Sequence, residues 1–172
     1  MNFGKKFFVM AIVLVSCIGC DQATKHIAKS SLASLPPQSY FNDFLRLQYA
    51  ENPGGMMSFG AELPESVRFW FLTVFVGLLL VGILLYLLAS RRVTPMQTTA
   101  LSFVVAGGFS NLLDRLLHDG HVIDFLNVGL GSVRTAIFNL ADVIILLGTF
   151  LLFISSTHKH QEQPIENGTH QA

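Results

Sequence analysis

The sequence predicts an all-α integral membrane protein with four transmembrane helices. Both termini are expected on the cytoplasmic side, with a small β-sheet and loop cap on the extracytoplasmic side. Three observations carry this expectation. Of 172 residues, 51% are hydrophobic and only 13% are charged, about half the charge of an ordinary globular domain. The apolar residues come in blocks rather than at a regular period. Lysine and arginine also mark alternate ends of those blocks: Lys5 and Lys6, then Arg91 and Arg92, then Lys159, which puts those flanks in the cytoplasm. Net charge is zero and no basic stripe with interleaved aromatics occurs, which argues against nucleic-acid binding.

The first span is expected over about residues 7–24. Its apolar part, Phe7–Cys20, reaches only about 21 Å at about 1.5 Å per residue, short of a hydrocarbon core of about 30 Å. The helix must therefore continue through "DQATK" and carry Asp21 and Lys25 to the outer boundary of the membrane. Two lysines, an apolar run and Gly19-Cys20-Asp21 also look like a bacterial lipoprotein signal peptide. In that alternative residues 1–19 are removed and Cys20 is lipidated. Cys17 replaces the leucine preferred three places earlier, however, and the later apolar blocks go unexplained. Cys17 and Cys20 form a C-x-x-C pair without a surrounding βαβ pattern, so apolar packing is expected of them rather than redox chemistry or metal binding.

The second span, about 69–90, contains no charge between Phe69 and Ser90. The third, about 98–113, is softer and has Ser110-Asn111 near its end. The fourth, about 136–154, carries Asn139 and Asp142 in its first turns. The extracytoplasmic side then receives residues 21–68 and 114–135. Between Tyr40 and Asn52, Phe44, Arg46 and Gln48 alternate with Leu45, Leu47 and Tyr49, as in a half-buried strand. Pro36-Pro37 and Asn52-Pro53-Gly54-Gly55 punctuate its ends. The stretch "GLGSVRTAIF" is expected to supply a partner strand or a loop into span four. Residues 1–155 form the membrane domain. Residues 156–172 form a polar cytoplasmic tail expected to be disordered, and its "NGT" sequon is read as chance.

Charged and amide side chains at membrane depth are costly, so each marks a candidate functional position. Here Asp21, Gln22, Lys25, Asn52, Asn111, Asp114, Arg115, Asp124, Asn139 and Asp142 all fall at the same outer interface. Asp142 sits among Ala141, Val143 and Ile144. The apolar patch Val122–Leu126 can fold back and bring Asp124 to it. Two carboxylates in a low-dielectric site share a proton, an arrangement that suits activation of water against an amide. Taken singly, Asp142 also fits an acid paired with a neighbouring Arg or Lys to hold helices together, and Asp124 an acid capping a turn at the interface. Asn111, Asp114 and Arg115 share one helical face. That face suits either a substrate backbone or lipid head group, or an end-of-helix salt bridge. Asp21 and Lys25 make an i, i+4 pair that is also compatible with plain helix stabilisation.

"DQATK" (Asp21–Lys25), "ENPGG" (Glu51–Gly55), "NLLDR" (Asn111–Arg115), "VIDF" (Val122–Phe125) and "FNLAD" (Phe138–Asp142) occur in this order. Together they resemble the sequence boxes of lipoprotein signal peptidase, also called signal peptidase II, over nearly the whole chain. The resemblance implies an intramembrane aspartic endopeptidase of the bacterial inner membrane. Such an enzyme cuts prolipoproteins just before a diacylglyceryl-modified cysteine, near the extracytoplasmic face. It implies Asp124 and Asp142 as the catalytic pair, and Asp21, Lys25, Asn52, Gly54, Asn111, Arg115 and Asn139 as residues lining the substrate site. It implies no metal or cofactor, contact with membrane lipid, and inhibition by globomycin-type cyclic peptides. Met56 and Met57 depart from the family's small residue and aromatic, and Ser110 from its glycine. The competing reading, a small proton-coupled transporter using the buried acids as a relay, calls for polar residues at the midplane of several spans. The uncharged second span lacks them.

Overall fold

The computed structural model describes residues 1–161, with side chains as far as Thr157. Four helices are long and apolar enough to cross a membrane: α1 (Phe3–Leu32), α2 (Glu65–Ala89), α3 (Pro95–Leu117) and α4 (Leu140–Gln161). Outward-facing Phe7, Phe8, Val15, Leu78, Leu79, Phe150 and Phe153 are all exposed, a pattern suited to lipid and unsuited to water. Inside, α3 is the central helix and touches the other three. Its buried face is rich in small and hydroxyl-bearing residues, among them Ala100, Ser102, Ala106, Gly107 and Ser110. Such residues let helices approach closely where no hydrophobic force drives them together. A β-carbon on Gly107 would lie 2.6 Å from the Ala141 carbonyl oxygen, and one on Gly148 2.6 Å from that of Ala100. The α3–α4 contact therefore depends on both glycines.

Each helix begins where local chemistry allows it. Asn2 caps α1 by accepting from Lys5 N at 2.9 Å. The helix then runs unbroken through Cys17 and Cys20 to Leu32, as the short apolar run requires. Thr94 and Gln97 close a reciprocal capping box at the start of α3, with Pro95 in the first helical position, where its missing N–H costs nothing. α2 starts four residues before the expected span, behind Pro64, and widens into π-helical turns over Phe69–Phe75. Its exposed Phe69, Trp70, Phe71 and Phe75 form a partial aromatic girdle of the kind found at a membrane–water boundary. Span four is expected from residue 136, but the helix starts only at Leu140. The residues just before it are held by the sheet instead, with Phe138 bridged to Leu126. At its other end α4 runs on past residue 155 to Gln161. Ser156 and Thr157 hydroxyls bond back to the Leu152 and Ile154 carbonyl oxygens. The rest of the tail expected to be disordered, with its "NGT", lies outside the described residues.

The loops at one end of the bundle form a four-stranded antiparallel sheet in the order β1 (Gln38–Tyr40), β2 (Leu45–Asn52), β3 (Val122–Leu130), β4 (Val133–Arg134). Tyr40 ends β1 and residues 41–44 turn, so of the alternating strand expected between Tyr40 and Asn52 only β2 forms. Its main partner is the strand that begins with "VIDF", however, and "GLGSVRTAIF" supplies only the end of β3, the hairpin and β4. Between β1 and β2 the chain turns through Phe41, Asn42 and Asp43, all at positive φ. Asp43 accepts from Arg46 and Ser39 and pairs with Arg134. Those contacts, the Arg46 hydrogen bond foremost, hold its carboxyl well below the usual range.

Register across β2 and β3 decides which side chains meet. Leu47 pairs with Leu126, but Ala50 pairs with Asp124, so Gln48 and Tyr49 form a bulge opposite one residue. Side chains alternate faces along a strand, and a one-residue slip reverses them. Past the bulge Asn52 is level with Val122 and shares a face with Asp124. Without it the two side chains would lie on opposite faces of the sheet.

Candidate active site

Asp124, on β3, and Asp142, in the first turn of α4, are joined by Asn139. Asn139 caps α4: its Oδ1 accepts from Asp142 N at 3.0 Å, and its own backbone N–H donates to Asp142 Oδ2 at 3.2 Å. This is a capping box in the form Asn-x-x-Asp. The Asn139 Nδ2 is left to donate to Asp124 Oδ1 at 2.7 Å and to Asn111 Oδ1 at 3.2 Å. Asn52 Nδ2 donates to Asp124 Oδ2 at 2.9 Å, and Asn111 Nδ2 to Asp142 Oδ1 at 3.0 Å. Each carboxylate oxygen of the pair thus accepts one N–H from an asparagine, and lone pairs remain for other partners.

Asp124 is 2% exposed. Burial raises its pKa to about 6, helped by the nearby charge of Asp142, while hydrogen bonds from Asn52 and Asn139 work against the rise. The two acids line a cavity of about 20 Å³ together with Asn52, Asn111, Arg115 and Asn139. That is room for a water molecule, which needs about 10–15 Å³. Beside it a much larger and almost wholly apolar groove, about 370 Å³, is walled by Met56, Met57, Ile137, Phe138, Val143 and Leu146 and reaches Asp142.

A second layer holds the first. Lys25 Nζ donates to Asp21 Oδ2 at 2.7 Å, Asp114 Oδ2 at 2.9 Å and Asn111 Oδ1 at 2.8 Å, which uses all three of its protons. Asp21 also accepts from Ala141 N and the Ser110 hydroxyl, both at 2.7 Å. Asp114 accepts from Gln22 Nε2 at 2.7 Å and Ile123 N at 3.0 Å. These bonds tie α1, α3, α4 and β3 together. Lys25 and Asp21 are buried and neither lines the cavity, so both stand behind it.

All nine residues that the family resemblance implies gather here, in two ranks. Asn52, Asn111, Arg115, Asn139, Asp124 and Asp142 line the cavity; Asp21 and Lys25 brace it. Gly54 works through its backbone. Its carbonyl accepts from Arg115 at 2.7 Å, its N–H donates to Asn52 Oδ1 at 2.9 Å, and a β-carbon would collide with the Ser58 carbonyl at 2.6 Å. The shared face of "NLLDR" is divided in use: Asp114 reaches across to Lys25 and Arg115 turns to Gly54. Three residues outside the nine, Gln22, Ser110 and Asp114, complete the bracing layer. Ser110, where the family has glycine, is fully buried and bonded to Asp21. The Asn139–Asp142 capping box leaves its own trace in "FNLAD", an asparagine three residues before an acid at the head of an apolar run.

Four spans with a carboxylate pair enclosed at one end define a multi-pass membrane protein. Residues 12–158 match the family model described as Signal peptidase (SPase) II. Lipoprotein signal peptidases from Syntrophus aciditrophicus and Photorhabdus laumondii are similar to this chain: 34% identical over 83% of it and 88% of the relative, and 32% identical over 94% and 92%. A solved structure described as a bacterial membrane enzyme, determined in meso at 2.3 Å resolution, superposes with a TM-score of 0.77. It is 21% identical over 96% of this chain and 94% of its own, so the likeness is one of fold. The chain belongs to the signal peptidase II family and is an aspartic endopeptidase.

Proposed function

We propose that the protein removes signal peptides from diacylglyceryl-modified prolipoproteins, with Asp124 and Asp142 as the catalytic pair. The observation that carries this reading is the placement of two carboxylates on one water-sized cavity at the mouth of an apolar groove. One carboxylate takes a proton from water as the water oxygen bonds to the scissile carbonyl carbon. The other, protonated, gives its proton to the carbonyl oxygen. Collapse of the resulting gem-diol breaks the C–N bond and passes a proton to the leaving amine, so the pair again shares one proton. Asn52, Asn111 and Asn139 fix both acids before substrate arrives, the preorganisation such chemistry needs. Arg115 Nε, without a protein partner among the described residues, is available to a substrate carbonyl, and Gly54 holds that guanidinium in place. Asp21 and Lys25 act as positioning residues.

The flanking lysines and arginines favour both termini and the 90–94 loop in the cytoplasm of a bacterial inner membrane. The sheet and site then lie at the extracytoplasmic face, where the lipid-modified cysteine of a substrate resides. Globomycin-type cyclic peptides would compete for the same groove. The test is cleavage of a fluorescent lipopeptide by purified variants. Asp124→Asn and Asp142→Asn are each expected to lose activity by about 1,000-fold or more while keeping the helix content and detergent elution of the parent. Full activity in either variant would overturn the pairing.

A further inference from the structure

α1 buries two lysines, Lys25 at the site end and Lys6 at the other, the latter 5% exposed. Lys25 is neutralised by two carboxylates. Lys6 Nζ donates only to the carbonyl oxygens of Ser90 at 2.7 Å and Leu88 at 3.4 Å, at the C-terminus of α2. Helix-end carbonyls offset part of a cationic charge, but a buried ion is ordinarily matched by a full opposite charge. The described residues of this end supply none. The sequence has no Asp or Glu in residues 1–20, 66–113 or 143–161. Lys5, Lys6, Arg91 and Arg92 therefore share this end without a single acidic side chain among the described residues.

Next to Lys6 a cleft of about 480 Å³ opens between the first turn of α1 and the last turn of α2. Asn2, Lys6, Ser90 and Arg91 give it polar walls, and Phe3 and Leu88 apolar ones. Phe3 carries the apolar wall out of the cleft by stacking on Phe7 at 6.4 Å between ring centres, and both rings are exposed. We infer that this cleft binds the phosphodiester of an anionic phospholipid headgroup. Lys6 and Arg91 face the phosphate, and the acyl chains run down the phenylalanine face of α1. The chemistry required is a phosphate anion joined to a hydrocarbon, since the cationic walls and the apolar apron adjoin each other. A free phosphate would satisfy only the walls.

The test uses the full chain purified in a neutral detergent, with native mass spectrometry in the presence of dioleoylphosphatidylglycerol or dioleoylphosphatidylcholine. Wild type is expected to retain the anionic lipid preferentially, by about fivefold for each cation that faces it. Arg91→Gln should lose about one such factor while still cleaving lipopeptide. Lys6→Gln with Arg91→Gln should abolish the preference. The exposed Lys5→Gln, which lies off the cleft, should keep it. Equal retention of the two lipids by wild type overturns the site. A loss in Lys5→Gln as large as in Arg91→Gln does so too, since it would mean diffuse surface charge. Sodium phosphate raising the thermal midpoint as much as the anionic lipid would overturn the lipid assignment in favour of a soluble anion. Because Lys6 also holds the end of α2, the Arg91 and Lys5 pair decides the matter even if the Lys6 variant does not fold.

Discussion

At one end of the four-helix body Lys25 is enclosed by Asp21, Asp114 and Asn111; at the other Lys6 is enclosed by peptide carbonyls. The same residue type on the same helix is held in opposite ways. At the site end the charged groups of the bracing layer find their partners within the protein, drawn from three helices and a strand. The carboxylate pair is thus separated from the bracing charges by the asparagines, and it borders a water-sized space. The basic end has no such closure and depends on its surroundings. Chemistry calls for a fixed site, and fixing it requires internal satisfaction; anchoring in a membrane does not.

The strongest way to break this contrast is to remove each lysine in turn. Lys25→Met leaves Asp21 and Asp114 buried without a cation, at an expected cost of about 3–5 kcal/mol. Lys6→Met gives up hydrogen bonds to two neutral carbonyls, about 1 kcal/mol. Thermal or urea unfolding in detergent measures both, and equal losses would remove the distinction. Next comes the helix contact that carries the site. Gly107→Ala forces a β-carbon against the Ala141 carbonyl, one residue from Asp142. A cost of about 1–3 kcal/mol is expected, with a fall in turnover as Asn111 is moved from Asp142. Gly82→Ala, with open space around it, should do neither.

A subtler change sharpens the role of the asparagines. As pH rises through about 6, Asp124 ionises in the free enzyme, the pair loses its shared proton, and kcat/KM falls. The Asn52 N–H favours the anion, so Asn52→Ala raises the pKa further and moves that alkaline limb to higher pH. A limb that stays in place or moves down would separate Asn52 from the titration. The smallest effect is expected at Ser110→Gly, which restores the family's usual residue and removes one hydrogen bond to Asp21, at about 1 kcal/mol. Little change in activity should accompany it.

The spans are legible in the sequence because apolar blocks of membrane length seldom arise outside a bilayer. Even α3, tinged with polar residues, stands out, since its small residues serve packing. β2 is legible from its alternation. β3 is not: Val122, Ile123, Asp124 and Phe125 are all buried, and a short run buried on both faces has no period to read. β1, at three residues, is too short for any pattern. The acids and amides of the site stand out because charge at membrane depth is rare. Their division into lining and bracing ranks does not, since it depends on which side of each helix meets its neighbour. Nor can the sequence reveal that Asn52 reaches Asp124 only because of the bulge at Gln48 and Tyr49, a matter of pairing between segments 72 residues apart.

Asn139 does two jobs with one side chain: it starts α4 and it holds Asp124. The oxygen that winds the helix and the nitrogen that aims the acid belong to the same amide, so neither function can be set without fixing the other. A chain whose last span is only partly wound, as during insertion, cannot have its carboxylates aligned. Winding of the last span and alignment of the two carboxylates are thereby one event rather than two.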